Sequence, residues 1–169
     1  MIKLFQPNFL CPHMVDSPVV RTASSHDFER IVALERVCFE GDLAYSRRQL
    51  QYLVFSANST ALVEESEGVI RGFIIVLYRT GSSVAGIETV NVDPVFRKLG
   101  VGSRLLAAAE EDIRRKGARR IRLEVSITNG AAIGLYEVAG FHKVDVLKNY
   151  YHFLHGNSRD AVRMIKELR

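Results

Sequence analysis

Hydrophobic residues recur along this chain with two different spacings, and the switch between them predicts the order of its helices and strands. A short β-branched run at positions 19–22 favours a first strand. From position 24 or 25 to about 39, apolar residues recur every three or four positions, which predicts a helix that a serine at its start can cap. The same spacing predicts a second helix over positions 46 to about 55.

The middle of the chain changes to the spacing of strands. Residues 60–64 and 70–78 flank a Glu-Gly pair at 67–68, which predicts an antiparallel hairpin. A turn over 80–83 then leads into a third strand of this group over 84–92.

Beyond position 92 helices and strands alternate, which is typical of an α/β layer with crossover connections. We predict a helix over 102–116, a strand over 121–125, a helix that begins at Asn129, and two last strands over 141–146 and 161–165. The apolar share of 47% is enough for one core, so we predict a mixed α/β fold. We expect one domain over residues 18–169 and a flexible extension over residues 1–17.

Residues 97–102 form a basic glycine loop, Arg-Lys-Leu-Gly-Val-Gly, directly before the helix over 102–116. Backbone N–H groups in a first helical turn lack intrahelical partners and carry part of the helix dipole, so they attract an anion such as a phosphate. Gly100 and Gly102 let the backbone approach that anion, and Arg97 and Lys98 add positive charge. The loop matches neither the Walker A motif nor the dinucleotide fingerprint, so by itself it is equally compatible with a plain turn.

Charge and composition exclude several classes of protein. The net charge of +4 suits a polyanionic ligand and would also suit weak nucleic-acid contact, although the basic cluster over 114–122 is better explained as a solvated helix end. No run of eighteen apolar residues predicts a membrane span, and we expect a cytoplasmic protein without a secretory signal. Cys11 and Cys38 lack the spacing of metal or redox sites and the histidines are dispersed, so we predict no metal.

The glycine loop and its surroundings together resemble the GNAT superfamily of N-acetyltransferases. Arg97, Gly100 and Gly102 fit the family's Arg/Gln-x-x-Gly-x-Gly/Ala loop. The Val-Asp-Pro run at 92–94 is similar to the end of the family's fourth strand, and the run from Asn129 to Tyr136 is similar to its second signature.

A narrower resemblance is to the ribosomal-protein-alanine and related protein N-terminal acetyltransferases. It is carried by Leu-Glu-Val at 123–125 and by Asn-Tyr-Tyr at 149–151. The resemblance implies transfer of an acetyl group from acetyl-coenzyme A to the N-terminal α-amine of a protein or peptide. Two alternatives remain: transfer to a small amine such as a polyamine or an amino acid, and a regulatory module that binds acyl-coenzyme A without turnover.

The same resemblance implies a fold and a cofactor site. The expected sheet is mostly antiparallel, with helices on both faces and a splayed parallel pair between its fourth and fifth strands. The co-substrate is acetyl-coenzyme A, and the implied cofactor-binding residues are Val90, Asn91, Val92, Arg97, Lys98, Leu99, Gly100, Val101, Gly102, Ser103, Asn129 and Tyr136.

Two residues are the catalytic candidates. Tyr136 could protonate the leaving thiolate, because a phenol stays protonated at neutral pH; alternatively it is a core tyrosine whose hydroxyl finds a backbone partner. Glu124 lies mid-strand and could act as a base through a water molecule, or it could pair structurally with Arg122 or a cation of a neighbouring strand. Glu88 is the alternative base.

The acceptor would be bound near the end of the chain. We predict Glu88, Tyr150 and Tyr151 as substrate-binding residues, although the two tyrosines could instead be packing residues of an edge strand. The loop over 149–160 is long and aromatic enough to form the rim of a pocket. We expect a monomer or homodimer that meets nucleic acid only through a ribosomal target.

Overall fold

The computed structural model of the protein describes residues 17–39 and 41–168. The strands are β1 (Val19–Thr22), β2 (Ser59–Ser66), β3 (Val69–Leu77), β4 (Val84–Val92), β5 (Arg120–Ser126), β6 (His142–Leu147) and β7 (Ala161–Glu167). The helices are α1 (Phe28–Cys38), α2 (Arg47–Phe55), α3 (Val101–Arg115) and α4 (Gly130–Val138), with short 3-10 turns at Ser25–Asp27, Gly41–Leu43 and Pro94–Phe96. Almost all of the extension predicted over residues 1–17 lies outside the described residues.

Within the described ranges the strands form one sheet in the order β1-β2-β3-β4-β5-β7-β6. Neighbouring strands are antiparallel except for β4 and β5, which are parallel. The predicted hairpin is β2 and β3, and both of its turn residues, Glu67 (φ 52°) and Gly68 (φ 74°), have the positive φ that a type I′ turn requires. The predicted mixed fold is therefore confirmed.

Helices cover both faces of the sheet. Strand residues point alternately to either side, and the apolar residues on each side need a helix to bury them. On one face, Leu62, Ile74 and Val76 pack with α3 and α4. On the other face, Val63 and Phe73 pack with α1 and α2. The predicted inner face of α3 is fully buried: Leu105, Ala109 and Ile113 each have 0% exposure.

Of the two serines predicted to cap the first helix, Ser24 is the N-cap of the 3-10 turn that precedes α1, and the N-cap of α1 itself is Asp27. Ser46 is the N-cap of α2. The backbone N–H of Ser24 donates to the Asp27 carboxylate (2.6 Å), and Oγ of Ser46 accepts from the Gln49 N–H (3.3 Å). Because the chain first makes a 3-10 turn, α1 starts at Phe28 rather than directly after Ser24 or Ser25. None of the helices described here has the length and apolarity needed to cross a bilayer.

The splay of the sheet lies between β4 and β5. Their pairing covers residues 84–86 of β4 and 120–122 of β5. Beyond that point β4 has a bulge, since Ile75 pairs with Thr89 and Val76 pairs with Ile87, which leaves Glu88 as the extra residue. The bulge bends β4, and its C-terminal half is left without a partner strand on the β5 side among the described residues.

Candidate active site

A cavity of about 480 Å³ fills the splay between the end of β4 and the starts of α3 and α4. Every predicted cofactor-binding residue except Leu99 lines it: Val90, Asn91, Val92, Arg97, Lys98, Gly100, Val101, Gly102, Ser103, Asn129 and Tyr136. The sequence reasoning missed six further lining residues, which are Cys38, Phe39, Phe96, Ala131, Ala132 and Leu135. Leu99 instead projects outward and is 57% exposed, because it lies between two residues of positive φ.

The glycine loop enters α3 through a left-handed turn. Lys98 (φ 63°) and Gly100 (φ 77°) both have positive φ, and Gly100 is the N-cap of α3. Gly102 lies against α4, since a methyl group built on it would be 3.0 Å from Cδ2 of Leu135. Glycine therefore serves two purposes here: conformational freedom at Gly100 and close helix packing at Gly102.

The free edge of β4 faces the cavity. The backbone N–H of Asp93 donates to the carbonyl of Arg71 on β3 (2.9 Å), so the backbone groups of Val92 and Val90 point the other way. The carbonyl oxygen of Val92 accepts from Sγ of Cys38 (3.4 Å) and Nε of Arg97 (3.3 Å). Such an edge is suited to pair with the amides of an extended ligand arm.

Tyr136 lines the cavity and is buried, with 7% exposure. Its side chain is held by α4, which begins where Oδ1 of Asn129 accepts from the Ala132 N–H (3.1 Å), and its ring packs edge-on against Phe141 (5.7 Å). Burial raises the pKa of Tyr136 to about 12. The hydroxyl bonds to no other described residue, so the backbone partner expected of a core tyrosine is not found.

Glu124 forms the ion pairs that the sequence reasoning offered as its alternative role. Nε of Arg163 on β7 lies 2.8 Å from its Oε1, and Nε of Arg122 lies 3.3 Å from the same atom. Leu123 and Val125 are buried on the other face of β5, as the alternation predicts. The carboxylate is not among the described residues that line the 480 Å³ cavity.

Glu88, the bulge residue of β4, accepts a hydrogen bond from the hydroxyl of Tyr45. Its charge, together with that of Glu124, also helps to raise the pKa of Tyr150 and Tyr151, after burial as the main cause. The predicted substrate-binding residues thus form one acidic and aromatic group, to which the structure adds Tyr45. The tyrosine rings of 150 and 151 pack edge-on at 5.0 Å.

A buried carboxylate connects this group to the cavity. Glu35 of α1 has 0% exposure; its Oε2 accepts from Nδ2 of Asn91 (2.6 Å) and its Oε1 from the Tyr45 N–H (2.9 Å). Burial raises the pKa of Glu35. The sequence carried a signal for it, since Glu35 comes four positions after Ile31 on the apolar face of α1.

A cleft of about 680 Å³ lies beside Tyr45, between the α1–α2 connection and the loop that joins β6 to β7. Its lining includes Arg36, Phe39, Tyr45, Gln49 and Phe153. Phe39 lines both this cleft and the 480 Å³ cavity, so the two openings are neighbours. No group of three or more His, Cys, Asp or Glu side chains within residues 17–39 and 41–168 is placed to hold a metal ion.

The basic cluster over 114–122 is largely neutralised. Arg114 pairs with Glu110, Arg115 and Lys116 pair with Asp112, and Arg120 pairs with Glu167. These ion pairs favour the interpretation of the cluster as a solvated helix end rather than as a surface that binds nucleic acid.

Comparison with known proteins decides the family. The family model described as "Acetyltransferase (GNAT) family" matches residues 28–141. The chain belongs to the GNAT acetyltransferase family. N-alpha-acetyltransferase RimI of Mycobacterium tuberculosis is 32% identical over 127 residues, which is 74% of this chain and 78% of that protein.

Other GNAT proteins share shorter or more distant similarity. The [Ribosomal protein bS18]-alanine N-acetyltransferase of Escherichia coli is 35% identical over 80 residues, or 47% of this chain; the match spans about half (53%) of the length of that relative. The crystal structure of the ribosomal-protein-S18-alanine N-acetyltransferase from Escherichia coli superposes with a TM-score of 0.80 at 22% identity, over 90% of this chain and 94% of that one. Ard1 from Thermoplasma volcanium has a TM-score of 0.78 at 27% identity, over 90% and 98% of the two chains.

Proposed function

We propose that this GNAT acetyltransferase transfers the acetyl group of acetyl-coenzyme A to the N-terminal α-amine of a protein or peptide. The observation that carries the proposal is the position of Tyr136, whose unbonded hydroxyl lies in the cavity that the splay of β4 and β5 opens. The names of two relatives, an N-alpha-acetyltransferase and a ribosomal-protein-alanine N-acetyltransferase, support the same acceptor class.

The coenzyme would occupy the 480 Å³ cavity. Its pyrophosphate would bind the free N–H groups where the glycine loop enters α3, with Arg97 and Lys98 as the nearest positive charges. Its pantetheine amides would pair with the free edge of β4, at the backbone groups of Val90 and the N–H of Val92. This arrangement would direct the thioester toward Tyr136, because the loop and the tyrosine line the same cavity.

In the chemical step, the neutral amine attacks the thioester carbonyl carbon, a C–N bond forms and the C–S bond breaks. The backbone N–H of β4 near Val90 would stabilise the oxyanion that develops on the carbonyl oxygen. Tyr136 would protonate the departing thiolate, and the pKa of about 12 keeps this acid protonated at neutral pH. The amine's proton would pass to Glu124 through a water molecule, with Arg163 holding the carboxylate in place.

An α-amine suits this base better than a lysine does. The α-amino group has a pKa near 7.7–8.0 and lysine one near 10.4, so neutralising lysine at pH 7 costs about 3 kcal/mol more. A glutamate that acts through water can therefore deprotonate an α-amine more readily than it can a lysine side chain. Glu88 and Glu124 would additionally attract the ammonium form of the acceptor as it arrives.

The acceptor chain would lie in the 680 Å³ cleft. The cleft adjoins Tyr45 and Glu88, so an N-terminus placed there would reach toward the splay while the following residues lie against Phe39 and Phe153. A cleft of this size favours a peptide over a single small amine. A cytoplasmic enzyme would meet such N-termini on nascent or ribosomal proteins.

An acetylation assay on a peptide array tests this function. Each peptide is offered with a free N-terminus and, as a matched control, with the same sequence blocked at the N-terminus and an internal lysine left free. We expect coenzyme A thiol release with a subset of free peptides and none with their blocked forms. Turnover confined to polyamines or amino acids would make the protein a small-amine acetyltransferase, and coenzyme binding without turnover on any amine would make it a regulatory module.

A further inference from the structure

The glycine loop rests on an ion-pair cluster that the proposed chemistry does not use. Glu64 of β2 has no exposed side-chain surface, and both of its oxygens are bonded to arginines. Arg71 of β3 donates to Oε2 through Nε (2.9 Å) and to Oε1 through Nη2 (2.6 Å). Arg104 of α3 donates to Oε1 through Nε (2.9 Å) and Nη2 (2.7 Å).

Both arginines reach the cluster because of where the backbone places them. Glu64 pairs with Gly72 and Glu65 pairs with Ile70, so Arg71 is the extra residue of a β-bulge that re-aims its side chain. Arg104 lies in the first turn of α3, four positions after the N-cap Gly100, whose carbonyl accepts the Arg104 N–H (3.0 Å).

Each arginine also contacts the segment that forms the glycine loop. The Arg71 guanidinium lies over the Phe96 ring (5.6 Å), and the Arg71 carbonyl accepts from the Asp93 N–H (2.9 Å). The Arg104 guanidinium packs on Gly100, since a methyl group built there would be 2.9 Å from Nη1 of Arg104. One carboxylate therefore connects both ends of the segment over 93–100.

This segment needs such support. Lys98 has a φ of 63°, which is unfavourable for a residue with a side chain, and Gly100 follows at 77°. A strained turn keeps its shape only where the surrounding structure determines it. The N–H groups of this turn and of the first turn of α3 can bind a pyrophosphate only while they converge on one point.

We propose that Glu64 is a positioning residue for the coenzyme: acting through Arg71 and Arg104, it holds the glycine loop in the shape that binds the pyrophosphate. None of the three side chains is among the described residues that line the cavity, so none is placed to bind the coenzyme itself. The inference rests on the proposed coenzyme site. It assigns a function to a cluster that lies beneath that site.

Calorimetry with acetyl-coenzyme A tests the proposal on Glu64→Gln and Arg104→Lys. Glu64→Gln keeps the shape of the side chain but leaves two guanidinium groups without their shared charge, and Arg104→Lys keeps the charge but loses the two-point bond. We expect the Kd to rise at least about tenfold for Glu64→Gln and about threefold or more for Arg104→Lys, because a loop that is not preorganised must be ordered on binding. Should Glu64→Gln fail to fold, Arg104→Lys decides, since Arg104 is the more exposed partner, at 35% of its side chain.

The matched control is Glu65→Gln. Glu65 is the next residue of the same strand, and it pairs instead with Arg21 (2.6 Å), far along the chain from the glycine loop. We expect this variant to keep the wild-type Kd within about twofold, because this partly exposed ion pair does not reach the loop.

A split between kinetic constants separates positioning from a general loss of structure. With the best peptide of the array, we expect Glu64→Gln to raise the KM for acetyl-coenzyme A and to leave kcat at saturation within about twofold, because Tyr136 and Glu124 are untouched. A Kd within twofold of wild type in both variants would overturn the proposal, as would an equal effect of Glu65→Gln or a lower kcat with unchanged KM. If the wild-type protein itself does not bind acetyl-coenzyme A, the proposed function fails, which is a different result.

Discussion

Glu124 and Arg163 face each other across the pairing of β5 with β7, and Nε of Arg163 lies 2.8 Å from Oε1 of Glu124. The pair fixes the direction of the one mid-strand carboxylate that the sequence singled out on β5. None of the described residues donates a hydrogen bond to Oε2 of Glu124, and this is the atom that a relaying water would meet. An arginine that holds the carboxylate is therefore compatible with a base that acts through water.

Glu124→Gln is expected to lower kcat about 10²-fold or more at pH 7, because the amide cannot accept the proton of the amine. The deficit should shrink as the pH rises past about 8, where the α-amine of the acceptor is already neutral. Thiol release measured from about pH 6.5 to 9 checks this. Glu88→Gln is the matched comparison; if it shows the larger, pH-dependent loss, Glu88 is the base and Glu124 is a structural residue.

Tyr136→Phe is expected to lower kcat about 10²- to 10⁴-fold and to leave acetyl-coenzyme A binding nearly unchanged, because only the proton donor is removed. The free energy of unfolding should change by no more than about 0.5 kcal/mol, since the hydroxyl has no bond to another described residue for the variant to break. Thiol release, calorimetry and urea unfolding measure the three quantities. A variant with wild-type kcat would remove Tyr136 from the mechanism.

Tyr45→Phe removes the hydrogen bond to the Glu88 carboxylate without changing the ring that lines the 680 Å³ cleft. We expect the KM for the peptide to rise up to about tenfold, because the Glu88 carboxylate that would attract the peptide N-terminus is no longer held in place, with the Kd for acetyl-coenzyme A unchanged. Steady-state kinetics with varied peptide concentration measure the KM, and calorimetry with acetyl-coenzyme A measures the Kd. An effect on the coenzyme alone would place the acceptor elsewhere.

Much of this arrangement could be predicted from the sequence, where the information is local. Leu105, Ala109 and Ile113 mark the inner face of α3 by their spacing, and Gly100 and Gly102 mark the loop before it. Tyr45 and Glu88 are 43 positions apart, and Glu35 and Asn91 are 56 apart. Such contacts depend on how α1 and the segment after it pack on β4. The sequence alone does not distinguish a polar helix residue that faces solvent from one that is bonded to a buried amide.

Gly100→Ala is expected to destabilise the fold and to weaken coenzyme binding. Gly68→Ala is the control that separates the effect of backbone strain from the effect of the contact with Arg104. Both glycines have positive φ, 77° and 74°, so each substitution costs about 1 kcal/mol in backbone strain. Gly68 has nothing within 4 Å of an added methyl group, whereas Gly100 has Nη1 of Arg104 at 2.9 Å. We expect only Gly100→Ala to raise the Kd for acetyl-coenzyme A, by about tenfold; equal Kd values in the two variants would contradict the packing of Arg104 on the loop.

Glu35→Gln is expected to change the pH dependence of stability in a defined direction. Burial raises the pKa of Glu35 above its ordinary value of 4.5, so its contribution to stability is fully present below that value and is lost as the pH rises through the folded-state pKa. The free energy of unfolding of the wild type, minus that of the variant, should therefore decrease between about pH 4 and pH 8, by about 1.4 kcal/mol per unit of raised pKa. Urea unfolding of both proteins across this range measures it, and a difference that grows with pH would mean that the carboxylate is stabilised rather than strained by its site.

A crystal structure of the protein with acetyl-coenzyme A tests the central claim most directly. We expect the pyrophosphate on the backbone N–H groups at the start of α3, the pantetheine along Val90 and Val92, and the sulfur within hydrogen-bond reach of the Tyr136 hydroxyl. A coenzyme bound outside this cavity, or a phenol turned away from the sulfur, would contradict it.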